Sequence, residues 1–304
     1  MNNLVVIVIS LAIGLLLQRQ RRWPEGSAAT LNLYVVYVAL PALVLAEIPR
    51  LTLDHHALLT VVFAWGIMGV TALITWVTAR LFNWSRAVTG VLMLTVPLGN
   101  TGFVGIPLID ALLGTAAVPY AILYDQFGTF IALNTYGILL AAYYAGTSTT
   151  WPRLLKSIAS FPPFIALILA FLTLWWDYPV WLSEAFTRIS ATLVPVIMVA
   201  VGLQWRLKLE RAALVPMAVG LFYMLVLTPA LTYLALRSLM LTGSLMLTEE
   251  VARVILLQSA MPAMISAGVL AMSYNLLPRL ASSLVGYSLL LSLFTTWAWS
   301  RLFS

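Results

Sequence analysis

Asn100, Thr101, Gln258, Ser259 and Asp125 are the residues whose types and setting suit chemistry on a small polar ligand. The first two lie in the stretch from Thr95 to Asp110, inside a hydrophobic run yet full of helix breakers. Pro97 and Pro107 each remove a backbone donor and crowd the preceding turn, and Gly99, Gly102 and Gly105 lower helix propensity further. A second run, from Leu256 to Gly268, is interrupted in the same way around Met261 and Pro262. An unsatisfied backbone group in hydrocarbon costs several kcal/mol, so broken helix survives only where protein or a water-filled cavity covers it. Two interrupted spans in corresponding halves of one chain point to solute binding near mid-membrane.

The chemistry follows from what a break exposes. A half-helix N-terminus carries roughly +0.5 of a charge and suits a carboxylate. The expected site therefore holds a carboxylate on backbone donors near Gly105 and Ala263, with Asn100, Thr101, Gln258 and Ser259 adding side-chain bonds. The alternative for these four is that they cap broken backbone and meet no ligand. Pro107 and Pro262 are read as the break points, with Gly102 and its neighbouring glycines as the small surface that lets two spans pass closely. Asp125 stands about seven residues into the following span with no Lys or Arg near it in sequence. Intramembrane carboxylates are rare and mark proton or ion pathways, so Asp125 is a coupling candidate. Its alternative is an interfacial Asp bonded to a helix end. Glu47 and Asp110, nearer span ends, read as solvated.

Other chemistry has little support. His55 and His56 are adjacent and lack a third ligand nearby, so no metal is expected. No phosphate-binding Gly-rich motif and no nucleophile–base constellation is readable, so neither an enzyme nor a cofactor is expected. Asn83-Trp-Ser85 matches a glycosylation sequon but falls on the expected cytoplasmic side.

The elements that must position these residues are membrane helices. Of the 304 residues, 62% are hydrophobic and 9% charged, against about 25% charged in soluble domains. The apolar runs reach the roughly twenty residues that cross a bilayer as helix and do not alternate as barrel strands would. There is no cysteine. The net charge of +6 reflects Lys and Arg in short loops, and no nucleic-acid partner is expected. Hydropathy predicts ten spans, at 2–18, 28–48, 57–80, 88–113, 118–145, 160–176, 184–204, 212–238, 250–273 and 279–301. The first run is followed, not preceded, by Arg19, Arg21 and Arg22, which favours a retained helix over a signal peptide.

Eleven basic residues (Arg19, Arg21, Arg22, Arg80, Arg86, Arg153, Lys156, Arg206, Lys208, Arg211, Arg279) fall on one side. Five (Arg50, Arg188, Arg237, Arg253, Arg301) fall on the other. The bias assigns the first group to the cytoplasm and both termini to the outside. The loop 146–159 divides the chain into halves 1–145 and 160–304. Each half has five spans, a proline in its second (Pro41, Pro195) and an interrupted fourth. An odd number inverts the second copy, giving an inverted repeat.

Gly99-Asn-Thr-Gly-Phe-Val-Gly-Ile-Pro107-Leu resembles the fourth-helix motif of the auxin efflux carrier family. Gln258-Ser-Ala-Met-Pro262-Ala-Met-Ile, the Tyr274-Asn275 turn and Gly202-Leu resemble later parts of the same family. The resemblance runs from Leu4 to Arg301. It implies an all-α membrane protein of ten transmembrane helices in two inverted five-helix repeats, with broken helices four and nine crossing. It implies a secondary transporter, efflux or uptake, of a small organic anion such as an auxin-like or dicarboxylate compound, working by alternating access. Helices 1, 2, 6 and 7 would form a scaffold and homodimer surface, and helices 3–5 and 8–10 the transport part. The long cytoplasmic loop of the plant carriers is missing, which favours a bacterial inner-membrane setting. Rival readings are a sodium-coupled symporter related to bile acid carriers, for which the crossing offers few oxygen ligands and no acidic side chain, and a channel.

Overall fold

A computed structural model describes residues 2–20, 24, 26–50, 55–147, 150–204, 214–243 and 247–302. Arg21, Arg22, Arg206, Lys208 and Arg211, on which part of the orientation argument rests, lie outside them, as do the side chains of Arg50 and Arg153. All regular structure among the described residues is helical. In chain order the helices are α1 (Asn2–Gln18), α2 (Ser27–Glu47), α3 (His55–Leu81), α4 (Arg86–Thr95), α5 (Thr101–Leu113) and α6 (Thr115–Ala145). Then come α7 (Trp151–Ala159), α8 (Pro162–Leu172), α9 (Val180–Leu203), α10 (Leu214–Leu241), α11 (Glu249–Ser259), α12 (Ile265–Ser273) and α13 (Pro278–Ser300). Six of them, α2, α3, α6, α9, α10 and α13, are long and apolar enough to cross a membrane. The expected spans 88–113 and 250–273 are each two shorter helices, α4 with α5 and α11 with α12. The expected linker 146–159 contains helix α7.

Prolines shape these helices from within. Wide, π-type turns at Val35–Ala39, Thr101–Gly105 and Tyr223–Leu227 each end two residues before a proline: Pro41, Pro107 and Pro229. A proline offers no N–H to the carbonyl four residues back, and its ring presses on that turn, so the turn opens instead of breaking. The opened carbonyl then needs a donor. Leu225, four residues before Pro229, accepts from Trp299 Nε1 at 2.9 Å. Side-chain caps start both interrupted pairs. Ser85 accepts from the Val88 N–H at the head of α4, and Thr248 accepts from the Val251 N–H at the head of α11, both at 3.3 Å.

The chain divides into two compact units. One comprises Met1–Leu53, Ile106–Ile122 and Lys156–Trp205. Here α1 runs along the second half of α9, and the approach is set by Gly14 and Gly202. A Cβ on Gly202 would lie 2.6 Å from the Leu11 carbonyl oxygen and 2.8 Å from Gly14 Cα, so only backbone fits between these helices. The segment Leu40–Glu47 of α2 is covered by α8 and by Val180–Ser190 of α9. That packing buries Glu47 to 5% exposure, correcting the expectation that it is solvated. Asp110 is half-buried and accepts from the Thr115 hydroxyl at 3.0 Å.

The other unit comprises Asp54–Gly105, Leu123–Leu155 and Arg206–Ser304. Its core joins α4, α10, α12 and α13 through Leu92, Leu94, Met224, Ala271, Leu280 and Leu284. α3 packs against Tyr124–Phe130 of α6, where Gly128 admits Ala64. The Arg86 guanidinium closes the far end of α6, donating to the Tyr143 and Tyr144 carbonyls. This is a cation on the last turn, where the helix dipole favours it.

Gly202→Val is expected to destabilise the protein by ~1–3 kcal/mol through overpacking. Gly66→Ala, inside α3 and with a Cβ that would meet nothing within 4 Å, should cost no stability and add up to ~1 kcal/mol of helix propensity. Thermal unfolding of the two purified variants in detergent checks the contrast.

Candidate functional site

Helix α4 stops because Val96–Asn100 cannot continue it. Pro97 withdraws the donor that the Met93 carbonyl would use, and the Tyr136 hydroxyl of α6 donates to that carbonyl instead at 2.8 Å. Helix α11 stops at Ser259 for the equivalent reason, with Ala260–Met264 outside helix around Pro262. The two broken segments satisfy one another. The Asn100 N–H donates to the Pro262 carbonyl at 2.7 Å, and the Met264 N–H donates to the Leu98 carbonyl at 2.9 Å. Gly99 and Ala263 thus pair as a single antiparallel bridge. A Cβ on Gly99 would meet the Met261 side chain at ordinary contact distance, 3.4 Å, so the bridge itself does not demand glycine there.

The first break restarts as helix under a polar cap, whereas the second restarts after Met264 with no side-chain cap. Asn100 Oδ1 accepts from the Phe103 N–H at 3.2 Å, and its carbonyl accepts from the Gly105 N–H at 3.0 Å. Its Nδ2 is buried with no partner, and the residue is 1% exposed. Gln258 Nε2 donates to the Thr101 carbonyl at 3.3 Å, and its Oε1 lies where a Cβ on Gly105 would be. The Ser259 hydroxyl donates back to Leu256 at 2.7 Å. The Ala263 N–H donates to Ser288 Oγ of α13 at 3.0 Å.

Asp125 joins this cluster from α6. It is 4% exposed, and its Oδ1 accepts from the Thr101 hydroxyl at 2.6 Å while Oδ2 accepts from Gln126 Nε2 at 2.7 Å. The carboxylate lies against Gly102, where an added Cβ would stand 2.9 Å from both oxygens. Asp125 is thus a buried acid bonded to Thr101, the first residue of α5. Thr101, Tyr124, Gln258 and Ser259 line a cavity of about 20 Å³ beside the bridge, which is room for about one water molecule.

Asn100, Thr101, Gly102, Gly105, Gln258, Ser259, Pro262 and Ala263 therefore converge, with Asp125 added through Thr101. The backbone donors of Gly105 and Ala263 are both engaged internally in this conformation. Pro107 needs correction as a break point. It lies within the helix Ile106–Leu113, tolerated because the π-type turn before it accommodates the missing donor. Pro97 and Gly99 stand in the first break instead. The premise that no acidic side chain approaches the crossing is also overturned by Asp125. Sequence reading missed Tyr136, Gln126 and Ser288. Ser288, Ser292 and Thr296 repeat every fourth residue on α13 and are all buried, a polar stripe in an apolar helix that could have flagged the first of them.

Six membrane-length helices among the described residues, with interrupted helix pairs meeting at a buried polar crossing, mark a multi-pass membrane protein. The family described as membrane transport protein, the auxin efflux carrier-like family, matches residues 1–300, and the chain belongs to it. It is a transporter family, not an enzyme family. An uncharacterized transporter of Methanothermobacter thermautotrophicus is 26% identical over 98% of this chain and 97% of its own length. One of Methanocaldococcus jannaschii is 25% identical over 98% of each.

Tyr136→Phe leaves the Met93 carbonyl without its donor, and Ser288→Ala does the same to the Ala263 N–H. Each is expected to cost ~1–3 kcal/mol, the penalty of an unsatisfied buried group. Ser273→Ala, on an exposed face of α12, should cost nothing measurable in the same unfolding assay.

Proposed function

We propose that the chain is a secondary transporter of a small organic anion, working by alternating access around the paired breaks. The observation that carries this reading is the bridge itself. Two interrupted helices exchange backbone hydrogen bonds beside the buried, unpartnered Asn100 amide, a donor suited to a carboxylate oxygen. The one-water cavity is far smaller than any such anion, so binding requires the crossing to open from the described conformation.

The proposed architecture is ten spans in two inverted five-helix repeats. Element order supports it: α1, α2, α3, α4 with α5, and α6 are followed, after α7, by α8, α9, α10, α11 with α12, and α13. Both interrupted pairs begin at a hydroxyl cap and break at a proline (Pro97, Pro262). The proposed scaffold of helices 1, 2, 6 and 7 corresponds to α1, α2, α8 and α9, which share a compact unit, although Ile106–Ile122 groups with them as well. A homodimer through that scaffold, a bacterial inner-membrane location and external termini complete the proposal.

Proteoliposomes should take up a radiolabelled carboxylate saturably. Asn100→Ala should lower kcat/KM roughly ten- to hundredfold, the loss expected for a hydrogen bond to a charged group. Ser273→Ala serves as the control. Uptake unchanged in Asn100→Ala would remove the crossing as the site, and no uptake of any carboxylate by the native chain would remove the organic anion.

A further inference from the structure

Asp125 is a buried acid that anion binding leaves without a role. Its neighbours are unusual for an ionised group. Residues 101–105, which pack on it, carry no titratable side chain. On α3, also packed against this stretch, His55 and His56 sit in the first turn and Arg80 in the last. On α11, Glu249, Glu250 and Arg253 sit in the first turns, Arg253 pairing with Glu249 at 2.9 Å. On α6 itself the titratable groups nearest in sequence are Tyr124, adjacent, and Tyr120, five residues back; Tyr136, further on, has its hydroxyl engaged on Met93. No described cation pairs with Asp125, and its partners are the Thr101 hydroxyl and the Gln126 amide. An ionised carboxylate buried without a cation is costly.

Gln126 supplies the second half of the argument. It is fully buried, one end of its amide meets Asp125 Oδ2 at 2.7 Å, and its Oε1 has no donor. A primary amide presents a donor at one end and an acceptor at the other, and rotation about its last bond exchanges them. With Asp125 ionised, the NH2 donates to Oδ2. With a proton on Oδ2, the rotated amide presents its carbonyl and accepts from that O–H. A separation of 2.7 Å fits an O–H···O bond as well as a charge-assisted N–H···O bond. Thr101 donates to Oδ1 in both forms. The acid therefore stays attached to the first turn after the break while its other oxygen changes from acceptor to donor.

We propose that Asp125 and Gln126 form a proton-binding pair on the crossing, and that Asp125 takes up one proton from the aqueous side to which the site opens. The proton moves from water to Oδ2 and is returned to water on the other side; no bond to a heavy atom changes. That the proton is coupled to solute movement rests on the transporter reading; the proton site itself does not. Gly102 is the glycine that the pair requires, because any side chain there would displace the carboxylate.

The test reads the acid directly, without a substrate. Infrared difference spectra of the purified protein between alkaline and acidic buffers should show the C=O band of a protonated, buried carboxyl. The band should vanish in Asp125→Asn and persist in Glu47→Gln, which removes the other deeply buried acid among the described residues. In Gln126→Leu it should persist at higher frequency, because the O–H has lost its acceptor; this arm carries the test if Asp125→Asn does not fold. Absence of a titrating band assignable to Asp125, or a frequency unmoved in Gln126→Leu, overturns the pair. In proteoliposomes, the ratio of uptake with an imposed proton gradient to uptake without one, taken within each protein, should fall to one in Asp125→Asn. Acceleration equal to the native chain's overturns the coupling. A native chain that moves no carboxylate refutes the transporter reading and leaves the infrared result standing.

Discussion

The structure depends on one constraint: backbone groups freed by a break in hydrocarbon must find partners inside the protein. Prolines create the need, because each leaves the carbonyl four residues back without its helical donor. At Pro229 the remedy is an indole N–H from Trp299, and at Pro97 it is the Tyr136 hydroxyl. At the two complete breaks the remedy is mutual, since each broken segment supplies the other with one donor and one acceptor. The glycines, the hydroxyl caps and the serine stripe on α13 read as consequences of that exchange. They permit its close approach or absorb the groups it leaves over.

Much of this was legible in sequence, for physical reasons. Apolar runs of bilayer length bounded by Arg and Lys leave little choice but membrane helices. Pro97, Gly99 and Asn100 in one run, and Pro262 in another, announce breaks wherever they fall. What sequence could not decide was which proline breaks and which merely bends. Pro107 looks as disruptive as Pro97, but the residues ahead of it form a wide turn that keeps the helix going. Nor could it see the partners that α6 and α13 supply. Asp125 looked isolated because Thr101, its ligand, is 24 residues away in sequence. Glu47 looked solvated because its position near a span end hides the cover that α8 and α9 provide.

A polar cluster with room for only one water is poised between two uses. Fully paired, it holds two broken helices together. Opened, as the proposed cycle requires, it would expose the same amides and hydroxyls to a solute. Asn100 shows both sides of this, since its Oδ1 and backbone carry the cap while its Nδ2 has no partner. A site of this kind needs no dedicated binding residues, because the groups that repair the break are those that would recognise an anion.

The chain has no cysteine, which makes one measurement unusually direct. A single thiol introduced as Met261→Cys, on the wall of the cavity beside the bridge, can be timed in membranes for reaction with a small membrane-impermeant reagent. Because the position is 1% exposed in the described conformation, labelling should be slow and limited by opening of the crossing. A carboxylate that the protein transports should slow it further, in proportion to occupancy. A rate indifferent to every such carboxylate would contradict the claim that the paired breaks are the binding site.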